Sequence, residues 1–351
     1  MKTVIADKIA SVAQDKALKR ELRVSENIPC EEGVLIAVEI QNNKGVYNKL
    51  ELTSGRMAQV KRGDVIIGAL GHRKALFGYS GHLPEKLVPG DEVQVLNIGG
   101  VLGICDSVNP NFGQPFNAKV LGAVLEFPIL GERIGVPARA GAAKLPFEPA
   151  LNTHGIPVVA LAGTCMDSGK TAAACAIVSR LRHLGYTVDA FKATGVSLRR
   201  DILAMEDAGA RHTSIFTDFG VITTTAKNAP AVTRTMLNQL CAHKPDVVVF
   251  ELGDGLLGAY GVDAILQDKE ICAALSCMVL CANDPVGSSG GVALLDSEFN
   301  LKADLITGPA TDNEVGCNII RNRLNVPAIN AITNGVELGD AVAQILKLEP
   351  K

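Results

Sequence analysis

The stretch that most limits what this chain can fold into begins at Gly163, where GTCMDSGKTAAACAIVSRL follows the apolar run IPVVALA. A β-branched run, a glycine-containing turn and an alanine-rich segment of helical period read as a buried strand, a tight loop and a helix. The nine residues GTCMDSGKT fit the pattern G-x-x-x-x-G-K-[ST]. Gly163 and Gly169 let the backbone curl so that successive N–H groups, with Thr164, Asp167 and Ser168 in the cradle, point at phosphate oxygens. The helix N-terminus adds partial positive charge, Lys170 reaches the terminal phosphates, and the Thr171 hydroxyl can join a Mg²⁺ shell. Ala173, Ile177, Leu181 and Leu184 fall on one face of the helix, and Gly185 stands where it should end.

Around this loop the chain is written in two grammars. From residue 156 the apolar runs PVVALAG, TVDAF, DVVVFELG, CMVLCAN, ADLITG and VPAINAI alternate with helix-like stretches at 170–184, 199–209, 229–243 and 313–324. Strands apolar on both faces and alternating with helices predict an α/β fold, a doubly wound, mostly parallel sheet. Up to about residue 135 the pieces are shorter, as in GVLIAVEI, RGDVIIGALG, PGDEVQVLNIGG and KVLGAVLEF, with turn signals between them. That spacing predicts a smaller β-rich, barrel-like domain, with the opening 23 residues read as an added helix. PARAGAAKLPFEPALNTHGIP, with four prolines and no sustained period, reads as a connector. The expected organisation is residues 1–135, a linker at 136–155, and 156–351.

Composition bounds the partners. The formal net charge is -3 with no long basic run, so neither nucleic acid nor an anionic membrane is expected as partner. No apolar stretch approaches the ~20 residues that span a bilayer. The N-terminus carries charges throughout and has no signal-peptide core, so a cytoplasmic location is the default expectation. The nine cysteines are scattered without a CxxC pair, which fits reduced thiols acting as small hydrophobes. The six histidines are equally dispersed, so no metal cluster is expected.

Several residues compete for the remaining chemistry. DVVVFELGDG ends a strand in Glu251 and Asp254; an acid there would hold Mg²⁺ or its waters, or merely meet solvent. VDAFKATG ends another strand with Lys192, which faces an anionic group or is an ordinary surface lysine. Asp201 opens a helical stretch, as a metal carboxylate or a plain helix N-terminal acid. CANDPVGSSGG reads as a strand followed by a polar loop, suited to a base or second phosphate, or as a turn. Cys165 has no base placed to activate it and reads as loop filler. In the first half, GALGHRKALFGYSGH is the most glycine-rich and basic patch, either a tight β-turn or a surface facing a ligand.

The order of these motifs over roughly residues 156–345 resembles the dethiobiotin synthetase-like branch of the P-loop NTPases. That class also holds ParA-type ATPases and metallocentre-assembly GTPases. The resemblance implies ATP in the loop, with Lys170 and Thr171 serving phosphate and Mg²⁺. It implies Lys192 on the substrate's carbamate or phosphate, Asp201 and Glu251 as metal-side acids, and Asn283 and the segment after Thr307 around the base. It also implies a homodimer. ELGDGLLGAYG departs from that family's Glu-Gly-Ala-Gly-Gly string, and the first 150 residues have no counterpart in it. The layout is also similar to P-loop proteins related to D-amino-acid N-acyltransferases, in which the loop would cradle coenzyme A phosphates.

Three functions follow. The leading one is an ATP- and Mg²⁺-dependent, ligase-like enzyme that activates a small carboxylate-type substrate by phosphoryl transfer, with Lys170, Lys192 and Glu251 catalytic. The second is an acyl-CoA-dependent N-acyltransferase. The third is a nucleotide-switch protein for cofactor or metal assembly, disfavoured for GTP by the lack of an N-K-x-D motif and for metals by the scatter of Cys and His.

Overall fold

The computed structural model describes residues 1–129, 131, 134–141, 147, 150–349 and 351. By internal contacts the chain divides into two units. The first comprises Met1–Leu145, Val196–Arg200 and Phe216–Thr223; the second comprises Pro146–Gly195, Asp201–Ile215 and Thr224–Lys351.

In the first unit the strand Leu35–Ile40 pairs with Val65–Leu70 and with Phe116–Glu126. Val65–Leu70 pairs in turn with Val101–Val108, which pairs with Glu92–Val95, and that strand returns to Phe116–Glu126. The ring of pairings closes, so the expected β-rich unit is a barrel and its five strands leave no open edge among themselves. Val34, Ile36, Val38, Ile66, Leu102 and Val120 are among the side chains of its core. The opening residues do not form the expected α-helix. Lys2–Ile5 and Glu21–Ser25 pair antiparallel, with a 3₁₀ turn at Ser11–Lys16 between them. Their alternation of exposed and buried residues has the period of a strand.

Of the connector read from the sequence, residues 142–146, 148 and 149 lie outside the described residues. Its first residues belong to the barrel: Val136–Pro137 pair with Leu125 and Glu126, Arg139 bridges Val34, and Ala138 and Ala140 are core side chains. Two later pieces join them. Ile222 is fully buried in the barrel core, and Asn97 donates to the Ser197 carbonyl at 2.8 Å.

The second unit begins with strand β1 (Val158–Gly163), helix α1 (Lys170–His183), β2 (Val188–Lys192), α2 (Arg200–Asp207) and β3 (Thr213–Ile215). It continues with α3 (Ala229–Ala242), β4 (Val247–Glu251), α4 (Val262–Leu266), α5 (Lys269–Ala274) and β5 (Leu275–Cys281). It ends with α6 (Pro285–Phe299), β6 (Leu305–Thr307), α7 (Glu314–Leu324) and α8 (Gly335–Ile345). The six strands lie in the order β3-β2-β4-β1-β5-β6, all parallel.

Helices cover both faces. Val159 and Leu161 of β1, Val247 and Val249 of β4 and Val279 of β5 pack with α1 and α8 residues such as Ile177, Leu181, Leu338 and Val342. The alternate residues point the other way, where Phe191 and Phe250 stack at 4.9 Å and α3 lies against β2 and β4. This is the doubly wound α/β fold expected from the sequence. The order reverses at β1, whose successor β2 lies to one side while β5 and β6 lie to the other, which places the crevice at its carboxyl end.

Two expectations fail. VPAINAI does not form a strand; it makes one bridge, Ile306 to Ala328. The buried Asn330 then turns the chain by accepting the amides of Ile332 and Thr333, both at 2.8 Å. The glycine-rich segment after CAND is not a loop but α6, started by Asp284, which accepts the Gly287 amide at 2.7 Å, and by Pro285 at the first turn. Among the described residues no helix is long and apolar enough to cross a membrane.

Candidate functional site

The loop between β1 and α1 closes on itself through a lysine. Lys170, 5% exposed, donates to the carbonyls of Cys165 at 2.9 Å and Asp254 at 2.6 Å, and to Ser168 Oγ at 3.3 Å. Gly163 makes this possible, because a Cβ there would stand 2.4 Å from Ser168 Oγ and 2.7 Å from Lys170 Nζ. Asp167 is exposed with φ 57 and Gly169 has φ 87, so the backbone passes twice through left-handed conformations before the helix starts. The Thr164 amide is anchored to the Cys281 carbonyl at 2.9 Å, fixing the start of the loop to β5.

The acids come from neighbouring strands. Register pairs Leu161 with Glu251 and Glu251 with Lys192, which places all three on the α1 face at the carboxyl edge. The Thr171 hydroxyl donates to Glu251 Oε2 at 2.9 Å. Lys192 and Asp201, each about nine-tenths buried at the side chain, form a close ion pair at the start of α2. Burial, and then the charge of Asp201, push the Glu251 carboxyl above the usual range against the pull of Lys192, Lys170 and the Thr171 hydrogen bond. The site therefore brings together two lysines and the carboxyls of Asp201 and Glu251, all buried. Asp254, just beyond β4, is 6% exposed with φ 77.

The later segments arrive differently. Asn283 is exposed, and its side-chain amide donates to Cys165 Sγ at 3.1 Å. Burial raises the Cys165 thiol above its ordinary pKa, with Lys170 opposing. That is the opposite of an activated nucleophile. Thr307 is fully buried and its hydroxyl meets no hydrogen-bond partner among the described residues. The next residue, Gly308, lies against the loop, where a Cβ would stand 2.3 Å from the Ser168 carbonyl.

Sequence reasoning missed the contribution of the Asp254 carbonyl to Lys170, because a main-chain acceptor leaves no composition signal. It also missed a cluster outside this site, Asp189, His212 and His243, whose ligand atoms lie within 4.8 Å of one another. Arg211 occupies both oxygens of Asp189 at 3.1 and 2.9 Å, so a cation there would meet a guanidinium.

No protein-family model and no curated protein matches the chain. Among solved structures it is similar to the signal recognition particle receptor FtsY from Elizabethkingia anophelis, at 15% identity over 56% of this chain and 67% of that one, with a TM-score of 0.39. It is similar to the hydrogenase maturation factor HypB from Archaeoglobus fulgidus, at 14% identity over 55% and 91%, with a TM-score of 0.37. A DUF1611 family protein from Anabaena variabilis gives 14% identity over 58% of this chain and 62% of that one, under two thirds of its length, with a TM-score of 0.41.

Proposed function

We propose that the second unit binds a magnesium nucleotide, ATP in the leading reading, and transfers its terminal phosphoryl group to the carboxylate of a small substrate. The observation that carries this is the Thr171–Glu251 hydrogen bond at 2.9 Å beside a lysine folded into the loop. A loop that held only the phosphates of coenzyme A would need its amides and Lys170, but not a desolvated carboxylate on the helix threonine. A buried carboxylate held above its usual pKa is a group that gains from a cation. The donor set, a hydroxyl and carboxylate oxygens, is the kind Mg²⁺ takes. Thr171 and Glu251 would hold the ion, with Asp201 nearby, and when bound it would neutralise phosphate charge.

The chain's own residues then divide the work. Lys170 exchanges its carbonyl partners for phosphate oxygens, a charge-assisted contact replacing neutral ones. Lys192, held by Asp201, keeps an ammonium one strand from Glu251, available to an anionic substrate group. The reading is akin to the dethiobiotin synthetase-like enzymes.

The test is a melting-temperature series with ATP, GTP and acetyl-CoA, each with and without Mg²⁺. A ligand at 100 times its Kd stabilises by about 2.7 kcal/mol. ATP should act, and Mg²⁺ should strengthen it. Stabilisation by acetyl-CoA and not by ATP would assign the loop to acyl-CoA. ADP formation dependent on a small carboxylate is the second arm, since the phosphoryl group passes to the carboxylate as an acyl phosphate; its absence across a broad panel would remove the ligase reading and leave a nucleotide-binding unit.

A further inference from the structure

Lys192 and Asp201 form a buried ion pair although they stand nine positions apart in the chain. Two flexible side chains do not fix their own meeting point. What places Asp201 is the path of the residues between them, and the point at which α2 begins. That path is held in two parts. Ala193 donates its amide to the Glu251 carbonyl at 2.9 Å and Gly195 donates to Thr224 Oγ1 at 2.8 Å, so the first residues stay with the sheet. Val196–Arg200 belong to the first unit and are held by its residues.

The anchors on this second part are specific. Val196 bridges Thr223, and Ser197 donates its amide to the Ile222 carbonyl at 2.8 Å. The buried Asn97 donates to the Ser197 carbonyl at 2.8 Å, and a Cβ on Gly99 would stand 2.1 Å from that oxygen, so the approach has no slack. The last anchor before the helix is Glu51. It ends the strand Lys49–Glu51, is fully buried, and accepts the Arg199 amide on Oε2 at 2.8 Å. The Arg199 guanidinium donates to the Thr53 carbonyl at 3.0 Å, which ties the same residue to the same stretch a second time.

Burying a carboxyl is costly unless its oxygens are partnered. Among the described residues Glu51 has no cation within 4.0 Å, and its other oxygen, Oε1, has no hydrogen-bond partner. Its side chain therefore makes one hydrogen bond, to the amide two residues before Asp201. An apolar side chain of similar size would suit a buried place better, so what the acid contributes is the position of that amide. We infer that Glu51 is a positioning residue: through the Arg199 amide it fixes the start of α2, and with it the approach of Asp201 to Lys192. The functional weight of the pair rests on the substrate-side role of Lys192 given above; its placement does not.

The test reads placement alone. The native full chain is treated with limiting acetic anhydride, and acetylation of each lysine is followed by peptide mass spectrometry. A buried amine reacts only when its surroundings open, so its rate reports the local opening. Lys170 is the internal control, buried as well but held by the carbonyls of Cys165 and Asp254. Glu51→Gln keeps an acceptor oxygen at the same reach, Glu51→Asp keeps the acid one methylene short, and Glu51→Leu fills the space with no acceptor. Lys192 should react as in the parent in Glu51→Gln and roughly tenfold faster in the other two, with Lys170 unchanged throughout.

Unchanged Lys192 in both Glu51→Asp and Glu51→Leu would overturn the assignment, as would an equal acceleration of Lys170, which marks general loosening. Protection kept by Glu51→Asp and lost in Glu51→Gln would also overturn it, since charge and not reach would then be what matters. If the last two variants do not fold, the parent decides. Hydrogen exchange of the Arg199 amide and acetylation of Lys192 should be protected to the same degree, as one opening; a freely exchanging Arg199 amide beside a protected Lys192 would sink the idea. No step uses a nucleotide or a substrate, so failure here leaves the phosphate-loop reading intact.

Discussion

Lys170 spends its three donors on two carbonyls and a hydroxyl, so a phosphate must outbid neutral oxygens to engage it. Lys170→Ala should therefore weaken nucleotide binding by about one to two decades, a loss of roughly 1.5–3 kcal/mol, checked by calorimetric titration. Glu251→Gln should act with opposite signs in two measurements. It removes a desolvated charge, so the nucleotide-free protein should melt no lower than the parent, while the extra stabilisation by Mg²⁺ disappears. The pH dependence follows from the same shift. A carboxyl with a raised folded pKa contributes most below its unfolded value, near 4.5, and that contribution is lost as pH rises through the folded value. Without Mg²⁺, the parent should lose stability relative to Glu251→Gln as pH increases from about 4.5; a flat difference would contradict the assigned burial. Lys192→Ala removes one member of the buried ion pair with Asp201, a loss that should cost about 3–5 kcal/mol in chemical denaturation.

At the scale of elements, the strand–loop–helix at 158–183 was legible because its signals are local: a β-branched run, a glycine at each end of the loop, then helical period. The meeting of Glu251 and Lys192 was legible only as shared strand ends; their side-by-side register depends on β2 and β4 being neighbours, a fact of strand order. Helix α6 was hidden by its own glycines, which weaken helix propensity. They serve packing instead: a Cβ on Gly291 would stand 2.9 Å from Leu280 of β5. The same logic gives a test at β6. Gly308, with φ 93, has no room for a Cβ beside the Ser168 carbonyl. Gly308→Ala should displace the phosphate loop, costing on the order of 1–3 kcal/mol from strain and lowering nucleotide affinity with no charge removed.

For the molecule as a whole, a β-rich part and an α/β part were readable from the change of period along the chain, but the membership of the two units was not. GVSLRR and FGVIT carry no shift in composition, yet Val196–Arg200 and Phe216–Thr223 belong to the first unit. Long-range packing decides this. Ile222 fills space beside Gly71, where a Cβ would stand 3.0 Å from its Cγ2, and Thr223 donates to the His72 carbonyl at 2.6 Å. Ile222→Ala should cost about 2–5 kcal/mol. A fragment ending at residue 141 should bind a hydrophobic dye and melt without a sharp transition; a cooperative, dye-silent fragment would show that the barrel closes without these pieces.

The interleaving also sets a timetable for synthesis. Chains fold as they emerge, the N-terminal part first, at about 5–20 residues per second. From Leu145 to Thr223 lie 78 residues (223 − 145), a wait of roughly 4–16 s at that pace. Throughout it the barrel has all its strands but lacks Ile222, with its core open on that side. The earlier-made unit thus stays unfinished until the second is well under way, and for those seconds it is the natural client of a chaperone.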